Sequence, residues 1–253
     1  MILIYKFTNN SGFGDNLRGF ISILQIQKKI NFELIVDLKN HRFEKYFLYT
    51  TPNTNTRLKR NIKIYYDDEE NHHLNIYNRL ISTFKKTKIV EIKTNAYPIL
   101  NEIDENIKDT VKTLLLIRPE IIEYLNAKYY NLPKNYNLFH YRLGDNYFYN
   151  DDVNNDNDFV NNFILNKKDN SVLISDSLNF KRIIKQKFQN EDVFIFMNKP
   201  HHTQMNNCNF LDTFSDFYLV KNASSVSCYS CYRWISNFVH WTAVVYNVPI
   251  NRI

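Results

Sequence analysis

The chain has 253 residues with a formal net charge of +6 and a pI near 9.0, long enough to bury a sizeable core as one large α/β domain or two small ones. The positive balance favours anionic partners such as a nucleotide. Basic residues come only in short groups, Arg57-Leu58-Lys59-Arg60 and Lys85-Lys86, which read as solvated faces rather than a nucleic-acid surface.

Three cysteines, an odd number, argue against a disulfide framework and for a reducing compartment. The start, Met1-Ile2-Leu3-Ile4-Tyr5-Lys6-Phe7, lacks a charged region followed by a long apolar run, so it reads as a first strand and not as a signal peptide. No stretch has the apolar length needed to span a bilayer, and a cytoplasmic protein without an integral membrane segment is expected.

Strand 2–7 runs into Asn9-Asn10-Ser11-Gly12-Phe13-Gly14-Asp15-Asn16 and then into an apolar-periodic segment, 17–30, that predicts a helix. Strand, glycine loop and helix present backbone amides to an anion or a sugar. The Gly-x-Gly spacing lacks a third glycine and no lysine follows in phosphate-loop register, which disfavours nicotinamide and ATP readings. Further strands are predicted at 32–37, 62–66 and 88–92, with a polar loop at 50–61 and helices at 74–84, 103–116 and 120–129, the last two divided at Pro119. The second half repeats this grammar: strands at 136–141, 171–174, 192–197 and 223–227, helices at 159–165, 178–188, 212–221 and 233–246. Such alternation predicts parallel, doubly wound sheets, with a domain boundary between Tyr130 and Asn135 that leaves halves of 1–132 and 133–253.

Phe139-His140-Tyr141-Arg142-Leu143-Gly144-Asp145 stands out. A buried strand ends there in a permanently charged guanidinium whose forked donors suit phosphate or carboxylate oxygens, at the sheet edge where open α/β sheets bind ligands. Gly144 allows a sharp turn, and Asp145 is suited to accept from loop amides or to hold Arg142. The same pattern also serves as a salt-bridged turn.

Four stretches in order resemble the GDP-fucose-dependent fucosyltransferase superfamily, which includes α1,2-, α1,6- and protein O-fucosyltransferases. They are Gly12-Phe13-Gly14-Asp15-Asn16-Leu17-Arg18-Gly19-Phe20, His140-Tyr141-Arg142-Leu143-Gly144-Asp145, Leu173-Ile174-Ser175-Asp176-Ser177, and Asp216-Phe217-Tyr218-Leu219 through Ser227-Cys228-Tyr229-Ser230-Cys231-Tyr232-Arg233-Trp234. The resemblance implies an α/β, GT-B-like fold, two Rossmann-like halves facing across a cleft, with the first half on the acceptor side and the second binding the GDP-sugar. It implies inverting transfer of fucose from GDP-fucose to a glycan hydroxyl without metal or other cofactor. Charge developing on GDP must then be met by protein donors, each worth roughly 3 kcal/mol or more. Arg142 falls at the family's essential arginine and His140 beside the nucleotide sugar. Asp176 matches an acidic element near the nucleotide, and an aspartate after a strand is also a common helix cap.

Ser227, Cys228, Tyr229 and Ser230 fall where relatives carry Ser-Thr-Phe-Ser, a strand-to-helix turn gripping the diphosphate, with Cys228 in place of Thr. Gly12, Gly14 and Asn16 are the loop residues assigned to substrate. Asp15, where several relatives have Asn, is a candidate base for the acceptor hydroxyl or a loop-capping residue, and Leu143 replaces a second arginine of many relatives. Those departures keep two alternatives open: a catalytically silent GDP-sugar- or glycan-binding relative, and a protein O-fucosyltransferase. A zinc site from Cys228, Cys231, Cys208, His201 and His202 is disfavoured by irregular spacing.

Overall fold

The structure, a computed structural model, describes residues 1–52, 62–66, 73–144, 150–154, 157–189, 193–199 and 210–253, with 62–66 described as backbone alone. Asp145, His201, His202, Cys208, Asp192 and most of the predicted loop at 50–61 lie outside the described residues.

The chain forms two compact units, 1–118 and 119–253. In the first, β1 (Ile2–Lys6), β2 (Glu33–Asp37), β3 (Ile62–Tyr66) and β4 (Ile89–Thr94) form a parallel sheet of order β2-β1-β4-β3 among the described residues. Its helices are α1 (Phe13–Lys29), α2 (His73–Phe84) and α3 (Glu105–Leu114). Short 3-10 turns at Glu44–Tyr46 and Leu100–Glu102 had no signal in the sequence.

α1 starts at Phe13, four residues before the periodic segment, because Gly12 acts as N-cap: its amide donates to Asp15 Oδ2 at 3.2 Å. Phe13 through Ile26 are buried, apart from the partly exposed Asp15, so α1 is a central helix rather than a one-sided surface one. Gly19 is what allows it to sit so deep. A Cβ there would stand 1.8 Å from the Thr94 carbonyl oxygen and 2.6 Å from Tyr5 Oη. α3 is shorter than predicted because Asp104 caps it, accepting from Ile107 N at 3.0 Å.

The second unit opens with α4 (Pro119–Lys128), which is why the division falls at Pro119 and ahead of 130–135. The end of α4 docks onto α7 (Leu211–Asn222): Tyr129 stacks on Tyr218 at 6.3 Å, Asn126 accepts from Tyr218 Oη at 2.7 Å, and Lys128 pairs with Asp212 at 3.3 Å. The remaining elements are β5 (Asn137–Arg142), α5 (Asp158–Asn166), β6 (Ser171–Ser175), α6 (Leu178–Lys187), β7 (Val193–Ile195), β8 (Ser225–Ser230), α8 (Asn237–Tyr246) and β9 (Ile250–Arg252). The sheet is parallel throughout, in the order β7-β6-β5-β8-β9.

Alternation along β5 sends Phe139 and Tyr141 into a core with Phe163, Leu173 and Phe180, and leaves Leu138, His140 and Arg142 on the opposite face. Tyr141 packs on Phe180 at 4.9 Å and stacks on Tyr229 at 5.2 Å. Many of the Tyr and Phe residues thus build the core.

Candidate active site

Strand order locates the site. From β5 the chain winds to β6 and β7 on one side, then returns to place β8 and β9 on the other, so the order reverses between β5 and β8. A crevice opens outside the carboxyl ends of strands at such a reversal, and open α/β sheets bind ligands there. Arg142 ends β5 and is paired in register with Ser230, the end of β8.

Arg142 is 18% exposed and held in place. Asp176, just past β6 and 6% exposed, accepts a charge-assisted bond from Arg142 Nη1. The same carboxylate accepts from Leu143 N at 2.9 Å and Gly144 N at 3.2 Å. Asp176 therefore ties down both the guanidinium and the turn that follows it. It is not the helix cap: Ser177 caps α6, accepting from Phe180 N. Asp151 also fills that helix end, accepting from Leu178 N at 3.0 Å and Asn179 N at 2.9 Å and from the Ser177 hydroxyl. A carboxylate on these amides leaves no room there for a phosphate.

Gly144 has φ of 105°, a left-handed conformation that a side chain would strain, and a Cβ would meet Cys231 Sγ at 2.9 Å. The turn after β5 thus packs directly against the loop after β8, which Cys231 N joins by donating to Arg142 O at 3.0 Å. His140 lies on the face of Arg142, between Ile174 and Cys228 in register. It is buried, and its Nδ1 has no hydrogen-bond partner among the described residues. Burial, followed by the nearby Arg142 charge, lowers its pKa to about 3, so the ring is neutral.

The turn expected at Ser227 to Ser230 is strand. β8 continues to Ser230, and α8 begins only at Asn237, with Ser236 as N-cap. Ser227 Oγ donates to Asn251 of β9 at 3.3 Å, and the buried Cys228 thiol is pushed up to about 12 by desolvation. Side-chain gripping of a ligand by these two is therefore not what the fold builds; Ser230, at the strand's end, accepts from Tyr232 N at 3.2 Å. Ser236, whose hydroxyl makes no capping bond, opens the helix that follows β8 and was not singled out in the sequence.

In the first unit the strand order reverses between β1 and β4. There Asn16 is buried and spent on its own loop, donating from Nδ2 to Thr8 O at 2.9 Å and Gly12 O at 3.1 Å and accepting from Thr8 N at 2.9 Å. Gly12 and Gly14 belong to the helix start, where neither takes a left-handed conformation. Asp15 is partly exposed, with Oδ1 3.6 Å from Arg18 Nη2. Arg18 is 1% exposed, donates from Nε to Asn95 O at 2.6 Å and lies 3.8 Å from the Tyr97 ring. Among the described residues no group of three or more His, Cys, Asp or Glu could hold a metal ion, and no helix is long and apolar enough to cross a membrane.

Two parallel, Rossmann-like sheets, each with a reversal of strand order, define an α/β protein with the fold of the GDP-fucose-dependent fucosyltransferases. Solved structures that it resembles include such enzymes. A FUT1 variant from Arabidopsis thaliana in complex with GDP matches with a TM-score of 0.62 and 11% identity, over 99% of this chain and 69% of that one. The fucosyltransferase NodZ from Bradyrhizobium matches at 0.59 and 14%, over 98% and 94%. POFUT1 in complex with GDP-fucose matches at 0.57 and 9%, over 99% and 97%. No protein-family model and no curated protein matches the sequence.

Proposed function

We propose that this chain is an inverting, metal-independent fucosyltransferase that moves fucose from GDP-fucose to a glycan hydroxyl. One observation carries the reading: in a fold shared with fucosyltransferases that bind GDP or GDP-fucose, a guanidinium stands at the strand-order reversal of the second unit, fixed by Asp176. The acceptor oxygen attacks the anomeric carbon while the bond from that carbon to the β-phosphate oxygen breaks, and the electron pair leaves with GDP. Arg142 neutralises the charge that develops on the leaving diphosphate, and its ready-made geometry spares the cost of reorganising it during the reaction. His140, neutral and beside Arg142, contacts the nucleotide sugar or the fucose. The acceptor proton goes to Asp15 or to water. The donor is a substrate, and no cofactor enters the scheme.

The test is GDP release from GDP-fucose, compared with GDP-mannose and UDP-sugars, over a panel of simple glycan acceptors. Release specific to GDP-fucose that falls roughly 10²–10³-fold in Arg142→Ala establishes the donor and the role of this arginine. GDP binding without release from any donor identifies a silent binding relative. Absence of GDP binding overturns the reading.

A further inference from the structure

The loop between β8 and α8 carries Tyr232 and Trp234, stacked at 5.2 Å with planes 12° apart. Trp234 is 58% exposed, an unusual place for so large an apolar surface. It is also held still. Tyr232 N donates to Ser230 Oγ at 3.2 Å, Cys231 N to Arg142 O at 3.0 Å, and Arg252 grips the loop from outside, donating to Tyr232 O at 2.8 Å and to Arg233 O at 2.6 Å. An exposed indole on a pinned loop, backed by a second ring, is a rigid binding face that loses little entropy when a ligand covers it.

Its position says what covers it. The Tyr232 ring lies 5.9 Å from the Arg142 guanidinium, and Trp234 is the next ring in the stack. With a donor diphosphate on Arg142, the anomeric carbon is one oxygen away from phosphorus, and an attacking sugar must stand within about one ring width of it, at near-attack range. A nucleobase would fit the same ring, but guanine presents N–H donors along its edge that call for an acceptor such as a carboxylate. Residues 231–239 carry no Asp or Glu, and the charged side chains on and under the loop, Arg233 and Arg252, are donors. Hydroxyl groups accept from such donors, and the apolar C–H face of a pyranose suits an indole.

We propose that Tyr232 and Trp234 form the platform on which a pyranose ring of the oligosaccharide acceptor stacks. The proposal rests on the donor reading of Arg142 and adds to it a docking face for the glycan acceptor on the second unit.

The sequence contains two tryptophans, and the other, Trp241, is buried, so acrylamide quenching of fluorescence reports Trp234 selectively. The GDP-loaded protein is titrated with a panel of galactose-, N-acetylglucosamine- and mannose-containing oligosaccharides. At least one is expected to shield Trp234 from acrylamide. On an array of the same sugars Trp234→Ala is expected to lose roughly tenfold in affinity, while Trp234→Phe stays near the wild type and GDP affinity is unchanged in both. Shielding by GDP alone, with GDP affinity lost in Trp234→Ala, would assign the ring to the base and overturn the proposal, as would sugar binding indifferent to Trp234→Ala or no shielding by any sugar. If sugars shield Trp234 but no donor is turned over, the platform stands and the transferase reading fails.

Discussion

The two units apply one local grammar to opposite ends. Each has a parallel sheet, a reversal of strand order, and at the reversal a glycine, an aspartate and an arginine. At the first, most of the polar chemistry is turned inward: Asn16 ties its own loop, Asp15 serves the Gly12 amide, and Arg18 is sealed beneath Tyr97. At the second, Asp176 takes over the holding, and Arg142 is left part-exposed as a positioned charge. A buried arginine stabilises a scaffold, whereas one positioned by a carboxylate and still part-exposed can meet an anion.

The largest effect is expected from Gly19→Ala. Its added carbon collides with a backbone carbonyl that cannot rotate away, so α1 must lift from β4, at a cost of about 3 kcal/mol or more, visible as loss of the folded first unit by circular dichroism. Next comes Asp176→Ala, which removes one acceptor shared by the Arg142 guanidinium and two amides. It is expected to destabilise the second unit by about 2–4 kcal/mol in urea and to abolish donor turnover, while Asp176→Asn recovers stability but not turnover.

Acidification compares the units directly. His41 in the first and His140 in the second are both held neutral by burial, with pKa values of about 3. The unfolded chain protonates them below about pH 6.5, so their contribution is complete above that pH and falls by about 1.4 kcal/mol per unit as pH drops towards 3. Asp216 in the second unit has the opposite sign. Burial raises it to about 6, despite Lys181, so the folded form takes up a proton first and gains stability between pH 6 and 4. From these three groups the first unit is expected to lose about 2 kcal/mol between pH 7 and 5 and the second about half that, by hydrogen exchange of each sheet. His73 in the first and His240 in the second, both lowered by burial, add losses of the same sign. The smallest structural effect is expected from Asp15→Asn, which keeps an oxygen for Gly12 and costs under about 1 kcal/mol. A fall in kcat without a change in Tm would make Asp15 the base; unchanged kcat would leave it a cap.

How much the sequence could disclose follows from contact distance along the chain. The apolar run into Arg142 is local and was legible. So was the glycine loop, apart from the start of α1, which a capping bond three residues long brought forward. Asp176 was visible as a position but not as the anchor, because its partners lie 32 to 34 residues away. Asp151 plugging α6 was hidden for the same reason. The serines of β8 mimic a turn. They are strand because Ser225 bonds Asn137 on one neighbour at 2.7 Å and Ser227 bonds Asn251 on the other, satisfaction that no single-strand pattern reveals.

Arg252 gives the aromatic loop an unusual dependence. The splint that keeps Tyr232 and Trp234 in place comes from β9, a three-residue strand whose neighbour Ile253 donates its amide to Cys228 O at 3.0 Å. Arg252→Ala is expected to slacken sugar recognition long before the sheet itself gives way. A preparation could then look well folded by every bulk measure and still score as inactive.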